Sequence, residues 1–154
     1  MTQGDILYFA HPINMYHTPL EETLLRLLTQ KWKGDTIINP SDKVHEDEVR
    51  KLKAADPKTN VMPYFLKLAK TAKNLVVLPF TDGMWGTGVF DEAESVLDLR
   101  AGKYVWVIDH NEVAAGKLDP TIRFVPVLKP ELRLSIEETR ARIRNPDGST
   151  RPYM

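Results

Sequence analysis

The sequence predicts an α/β protein with a doubly wound, mostly parallel sheet of about five strands. Two observations predict it. Short continuous apolar runs, the mark of strands buried on both faces, alternate with segments of helical periodicity, and Gly or Pro punctuates the junctions. The length, 154 residues, suits one domain with one sizeable core.

The elements follow in order. Ile6–Ala10 is the first strand, ended by His11-Pro12. Thr18-Pro19-Leu20-Glu21 opens a helix: Thr18 caps, Pro19 takes the first helical position, and Glu21 completes a capping box. Leu20, Leu24, Leu27 and Leu28 give that helix one apolar face. Thr36–Asn39 is the second strand, stopped by Pro40, and a short charged helix is expected around Glu46–Ala54. Val61–Ala72 has helical spacing, and Leu75–Pro79 is the third strand. Phe80–Gly88 is a loop holding three of the eight glycines, followed by a helix over Val89–Ala101 that Gly102 ends. Tyr104–Ile108 is the fourth strand. Arg123–Val127 is a candidate fifth, placed at an edge by Pro126. Ser135-Ile136-Glu137-Glu138 repeats the capping-box pattern before a last helix. Residues 1–144 form the expected domain, and 145–154 read as a C-terminal arm or disordered tail. Right-handed crossovers favour a Rossmann-like sheet of flavodoxin-like order. Ligands bind such sheets at the carboxyl ends of the strands, where the loops at 11–18, 40–44 and 80–88 meet.

Composition narrows the function. Lys plus Arg balances Asp plus Glu at 21 each, so no broad nucleic-acid-binding face is implied. The absence of cysteine excludes disulfides and thiol chemistry, and four histidines without paired spacing suggest no metal. No cofactor is implied. The amino terminus lacks a signal-peptide pattern and no apolar run approaches a membrane span, so a cytoplasmic protein without membrane partners is expected.

The third loop carries the chemistry. Gly86-Thr87-Gly88 leads into Val89-Phe90-Asp91-Glu92-Ala93-Glu94, which places acids at a helix start. There the helix dipole favours the ionised carboxylate, the form that attacks or stabilises a carbocation-like sugar centre. First-turn acids are also common in helices of no catalytic role. Tyr8 is a candidate partner of the acid or a core tyrosine. Asp82 either holds a ligand or shapes an Asp-Gly turn, and Trp85 either stacks on a base or contacts another subunit. Ala10, His11, Asn14, Pro40 and Ser41 border the other two loops as ligand contacts, with turn formation and helix capping as the competing roles.

Tyr8-Phe9-Ala10, Asn39-Pro40 and Gly86-Thr87-Gly88…Glu…Gly102-Lys103-Tyr104-Val105, taken in order, resemble the nucleoside 2-deoxyribosyltransferase superfamily. That superfamily includes the 2′-deoxynucleoside 5′-monophosphate N-glycosidases, and the resemblance covers roughly residues 5–109. It implies a flavodoxin-like fold, a glutamate attacking the anomeric carbon with a tyrosine supporting it, a nucleoside or nucleotide substrate, and a homo-oligomer. Counting from the glycine turn selects Glu92, whereas counting back from Gly102-Lys103 selects Glu94. Helix phase favours Glu92, because Ala93, Val96 and Leu97 then face the sheet, with a helix about half a turn longer than usual. Two positions where the family often carries aspartate read Leu66 and Asn74, and the first loop lacks an arginine and a serine. The expected activity is hydrolysis of an N-glycosidic bond or base exchange. The alternative is a non-catalytic nucleotide-binding or sensing module.

Overall fold

The computed structural model describes residues 4–154. Five strands form one sheet in the order β2-β1-β3-β4-β5: β1 (Ile6–Ala10), β2 (Thr36–Ile38), β3 (Asn74–Val77), β4 (Tyr104–Ile108) and β5 (Ile122–Val125). The pairs β1–β2, β1–β3 and β3–β4 are parallel; β5 runs antiparallel to β4. The sheet is therefore mostly parallel, with a reversed edge strand. Pro126 follows the last residue of β5, where it removes no ladder donor.

Helices cover both faces. On one side α1 (Pro19–Lys31) lays Leu24 and Leu28 against Leu7, Phe9, Val76 and Ile108. On the other, α4 (Thr87–Val96) lays Val89, Ala93 and Val96 against Tyr8, Leu75, Val77 and Val105, with α3 (Met62–Ala69) beside it. This is the alternation of strand faces expressed as packing: Leu7 and Phe9 point one way, Tyr8 and Ala10 the other. The charged helix α2 (Lys43–Ala55) buries none of its residues; His17 Nε2 to Glu46 Oε1 (2.6 Å) and His45 Nδ1 to the Tyr64 hydroxyl (2.8 Å) tie it down.

Several element boundaries differ from the sequence expectation. Helix α4 starts at Thr87 and stops at Val96, not Ala101. Asp98 ends it, pairing with Lys103 across a tight turn that Gly102 closes at φ +70°. The short helix α5 (His110–Ala114), capped by Asp109, carries no apolar periodicity long enough to read from sequence. Helix α6 (Ile136–Ile143) opens with the expected reciprocal capping box of Ser135 and Glu138. At α1 the box is only half made: Thr18 Oγ1 accepts from Glu21 N–H, but the Glu21 carboxylate turns away into the interior.

Residues 145–154 fold back on the domain. Asn145 and Ser149 close a turn at Gly148, Arg144 bridges Thr150, and Arg151 N–H donates to Ile143 O at 2.7 Å. The Tyr153 hydroxyl donates to Pro79 O (2.5 Å) and its ring lies on Phe80. Among the described residues, no helix is long and apolar enough to cross a membrane.

Candidate functional site

Glu92 falls in the second turn of α4, on the face turned to the sheet, where it meets Tyr8 at the middle of β1. It is 7% exposed, and the hydroxyl of the fully buried Tyr8 donates to its Oε2. Its Oε1 has no hydrogen-bond partner among the described residues, yet it is not sealed, because Glu92 lines a cleft. Burial, the largest influence, pushes the Glu92 carboxyl up to about 8; the Tyr8 hydrogen bond opposes this and the neighbouring Asp91 charge adds to it. The expectation that the helix dipole favours an ionised Glu92 is thereby corrected. At this depth desolvation outweighs a dipole effect that fades beyond the first turn. Tyr8 is driven well above the usual phenol range by burial and by the Glu92 charge, so it remains a donor. Glu94 is exposed on the solvent side of the same helix, in accord with its phase about 200° from Glu92.

The cleft encloses about 120 Å³. Pro12 and Tyr16 of the first loop, Met62 and Phe65 of α3, and Phe80 with Ile143 form most of its apolar walls. Gly86 and Gly88 bring the backbone close at the helix start. A Cβ on Gly86 would come within 3.2 Å of the Thr139 methyl, and one on Gly88 within 3.2 Å of Met62 Sδ. Thr87 is not free for a ligand: its N–H donates to Thr139 Oγ1 (3.0 Å) and its hydroxyl to Leu134 O (2.7 Å).

Other sequence candidates lie in other networks. His11 lines the cleft with its ring only, because Nδ1 bonds Phe9 O (2.9 Å) and Nε2 bonds Glu21 Oε2 (2.6 Å). Glu21 also accepts from His17 N–H and from the hydroxyl of buried Ser41. Burial opposes ionisation of Glu21, but these hydrogen bonds together hold it below the usual carboxylate value. Pro40 and Ala10 are buried next to this network, which ties the first loop to the loop after β2. Asn14 donates to Arg142 O and Arg151 O (3.2 Å each), joining α6 to the C-terminal segment and leaving its Oδ1 unpartnered. Asp82 shapes its Asp-Gly turn through Met84 N–H and holds Arg142 bidentately at 2.7 and 2.6 Å; this pair holds its carboxyl below the usual range. Trp85 is 3% exposed, packs on Phe90 and faces away from the Glu92 cleft.

The structure thus joins Tyr8, Glu92, Gly86 and Gly88 in one site and leaves Asp82, Trp85, Asn14 and Ser41 outside it. Tyr16, from the first of the expected site loops, and Phe65, Thr139 and Ile143 complete the walls; nothing in the local sequence marks the last three, since α3 and α6 reach the cleft only through tertiary packing. Asn74, one of the positions expected to lack a carboxylate, is the first residue of β3 and accepts from Trp106 Nε1 (2.9 Å) on the opposite face of the sheet from Tyr8 and Glu92. Among the described residues, no group of three acids or histidines is placed to hold a metal ion. Fold and site together define an α/β protein with a buried carboxylate–phenol pair at the carboxyl ends of its strands. In comparisons with known proteins, the chain matches no family model, no curated protein and no solved structure.

Proposed function

We propose that the protein cleaves the N-glycosidic bond of a nucleoside or nucleotide, by hydrolysis or by base exchange. The observation that carries this reading is the Glu92 carboxylate, held by Tyr8 through one oxygen and open to an apolar cleft through the other. Oε1 is the atom for attack on the anomeric carbon. The glycosidic C–N bond breaks as the new C–O bond forms, the base leaves with the electron pair and takes up a proton, and water or a second base then displaces Glu92. The apolar walls suit the flat faces of a base and exclude water from the glycosyl intermediate. The strand order β2-β1-β3-β4-β5, with only β5 reversed, supports a flavodoxin-like reading in which the cleft lies beside the β1/β3 switch point. At about 120 Å³ the cleft is smaller than the roughly 300 Å³ of ordinary small-molecule sites. That supports a homo-oligomer in which a second copy extends the pocket.

The test is incubation with a panel of ribo- and deoxyribonucleosides and their 5′-monophosphates, with free base followed by chromatography. Release abolished by Glu92→Ala is the expected result. A specific observation favours a second reading, a nucleotide sensor: a carboxyl with a value near 8 is mostly protonated at neutral pH. Saturable binding of a panel member with no base released at high protein concentration would establish that reading instead.

A further inference from the structure

A second and larger cavity, about 580 Å³, lies on the α4 side of the sheet at its β4–β5 edge. This volume is within the roughly 300–1,000 Å³ range of small-molecule sites. Buried Trp85 and Phe90 with half-buried Val107 and Val125 supply its apolar surface, and the segment from Pro126 to Leu132 closes one side. Exposed Arg123 and Lys129, with half-buried His110, rim the opening. The glycosidic reading uses none of these residues.

Two features point to a ligand. The first is Trp85. A buried indole N–H normally finds an acceptor, as Trp106 does in Asn74. Trp85 is 3% exposed as a whole; among the described residues its N–H donates to no protein group and its nitrogen is not sealed in the interior, so the donor is open on the side of this cavity. The second is charge. Asp109 is neutralised by the N–H groups of Asn111 and Glu112 and by Arg123 at 3.2 Å, and Asp82 by Arg142. Among the described residues Lys129 makes no ion pair, so one cation at the opening is uncompensated.

We infer that this cavity binds a planar heteroaromatic carboxylate. The ring lies against Phe90 and the two valines, a ring nitrogen or carbonyl accepts the Trp85 N–H, and the carboxylate meets Lys129. A single negative charge matches a single free cation, and the apolar lining selects against non-planar sugar acids.

The experiment is a titration of the isotope-labelled full chain, followed by the indole N–H resonances of its three tryptophans. The Trp85→Phe variant assigns the Trp85 signal. Nicotinate, which has a ring acceptor and a carboxylate, should shift that signal saturably. Nicotinamide, without the charge, and benzoate, without the ring acceptor, should each bind roughly tenfold or more weakly, a loss of about 1.4 kcal/mol. Lys129→Ala should reduce nicotinate to the level of nicotinamide while leaving the free-protein tryptophan signals in place. Deoxyadenosine, a ligand class suited to the Glu92 cleft, should leave Trp85 unmoved. Absence of a saturable shift with nicotinate, equal binding of nicotinate and nicotinamide, or unchanged binding in Lys129→Ala would each overturn the assignment. A Trp85 shift with adenosine 5′-monophosphate but not with nicotinate would also overturn it, in favour of a phosphate ligand.

Discussion

Glu92 is held in an environment that favours its neutral form, and this has consequences for stability as well as for chemistry. Its folded value, about 8, lies above the 4.5 of a free glutamate. Between those values the folded chain binds more protons than the unfolded one, so stability falls as pH rises through that interval and levels off above it. Glu92→Gln removes the ionisation while its amide oxygen still accepts from Tyr8. The variant should therefore melt above the wild type at pH 9, by on the order of a few kcal/mol of added stability. The two should converge near pH 4. Calorimetry at both pH values checks this; parallel melting at every pH would mean that Glu92 is not desolvated. The same substitution should abolish cleavage, because an attacking carboxylate must be ionised. For that reason wild-type turnover should climb with pH through about 8. Tyr8→Phe deletes the hydrogen bond that opposes the upward shift, so the midpoint of that profile should move higher. Glu94→Ala, altered only on the exposed side of α4, should keep most of its activity. A pH profile that is flat from 6 to 9 would remove Glu92 from the chemistry.

At the scale of elements, the loops that shape the cleft depend on interior hydrogen bonds between residues far apart in sequence. Glu21, from the first turn of α1, links His11 at the end of β1, the His17 backbone and Ser41 beyond β2. Glu21→Ala leaves the His11 ring nitrogen and the Ser41 hydroxyl buried without their acceptor, at a cost of about 1–3 kcal/mol for each group. Glu22→Ala, which loses only an exposed pair with Arg26, should change stability by less than about 0.5 kcal/mol. Urea denaturation of the two variants separates the cases, and equal midpoints would show that the Glu21 network contributes nothing. This network also shows what the sequence could reveal. The parallel strands were legible because each is a short apolar run between turn residues, and Glu92 was legible because helix phase is a local property. The end of α4 was not, since Asp98 pairs with Lys103 only when the chain has turned back. Glu21 read as a capping residue because its spacing from Thr18 is a local signal, while its actual partners at positions 11 and 41 are brought together by the sheet. The value near 8 at Glu92 was beyond reach for the same reason: it depends on burial against β1, whereas the helix dipole can be inferred from chain direction alone.

At the scale of the whole molecule, the cleft is assembled from segments spread along the chain, and its last wall is held in place by residues near position 150. If a second copy extends the pocket, light scattering at working concentrations should report at least a dimer; a monomer throughout would confine the site to one chain. The C-terminal segment acts within that chain. Phe80, 1% exposed, lines the cleft and lies between the Arg142 guanidinium, 5.2 Å from its ring centre, and the Tyr153 ring at 6.2 Å. Asn14 donates to Arg151 O and Arg142 O, and so joins the first loop to the same segment. Deleting residues 145–154 removes the Tyr153 cover, worth about 1.5–3 kcal/mol by burial, and one acceptor of Asn14, worth about 1 kcal/mol. A loss of about 3 kcal/mol in a chain of this size lowers Tm by roughly 6–12 °C. Phe80 then gains freedom to leave the wall, so ligand affinity should weaken, while Glu92 and Tyr8, packed between α4 and β1, keep their arrangement. The expected kinetic signature is a raised KM with kcat changed much less. Tyr153→Ala should reproduce part of both effects, because it leaves the Asn14 and Arg151 hydrogen bonds in place. A truncated chain with unchanged Tm and KM would show that the segment does not support Phe80; a collapse of kcat at constant KM would show instead that it reaches the reacting groups.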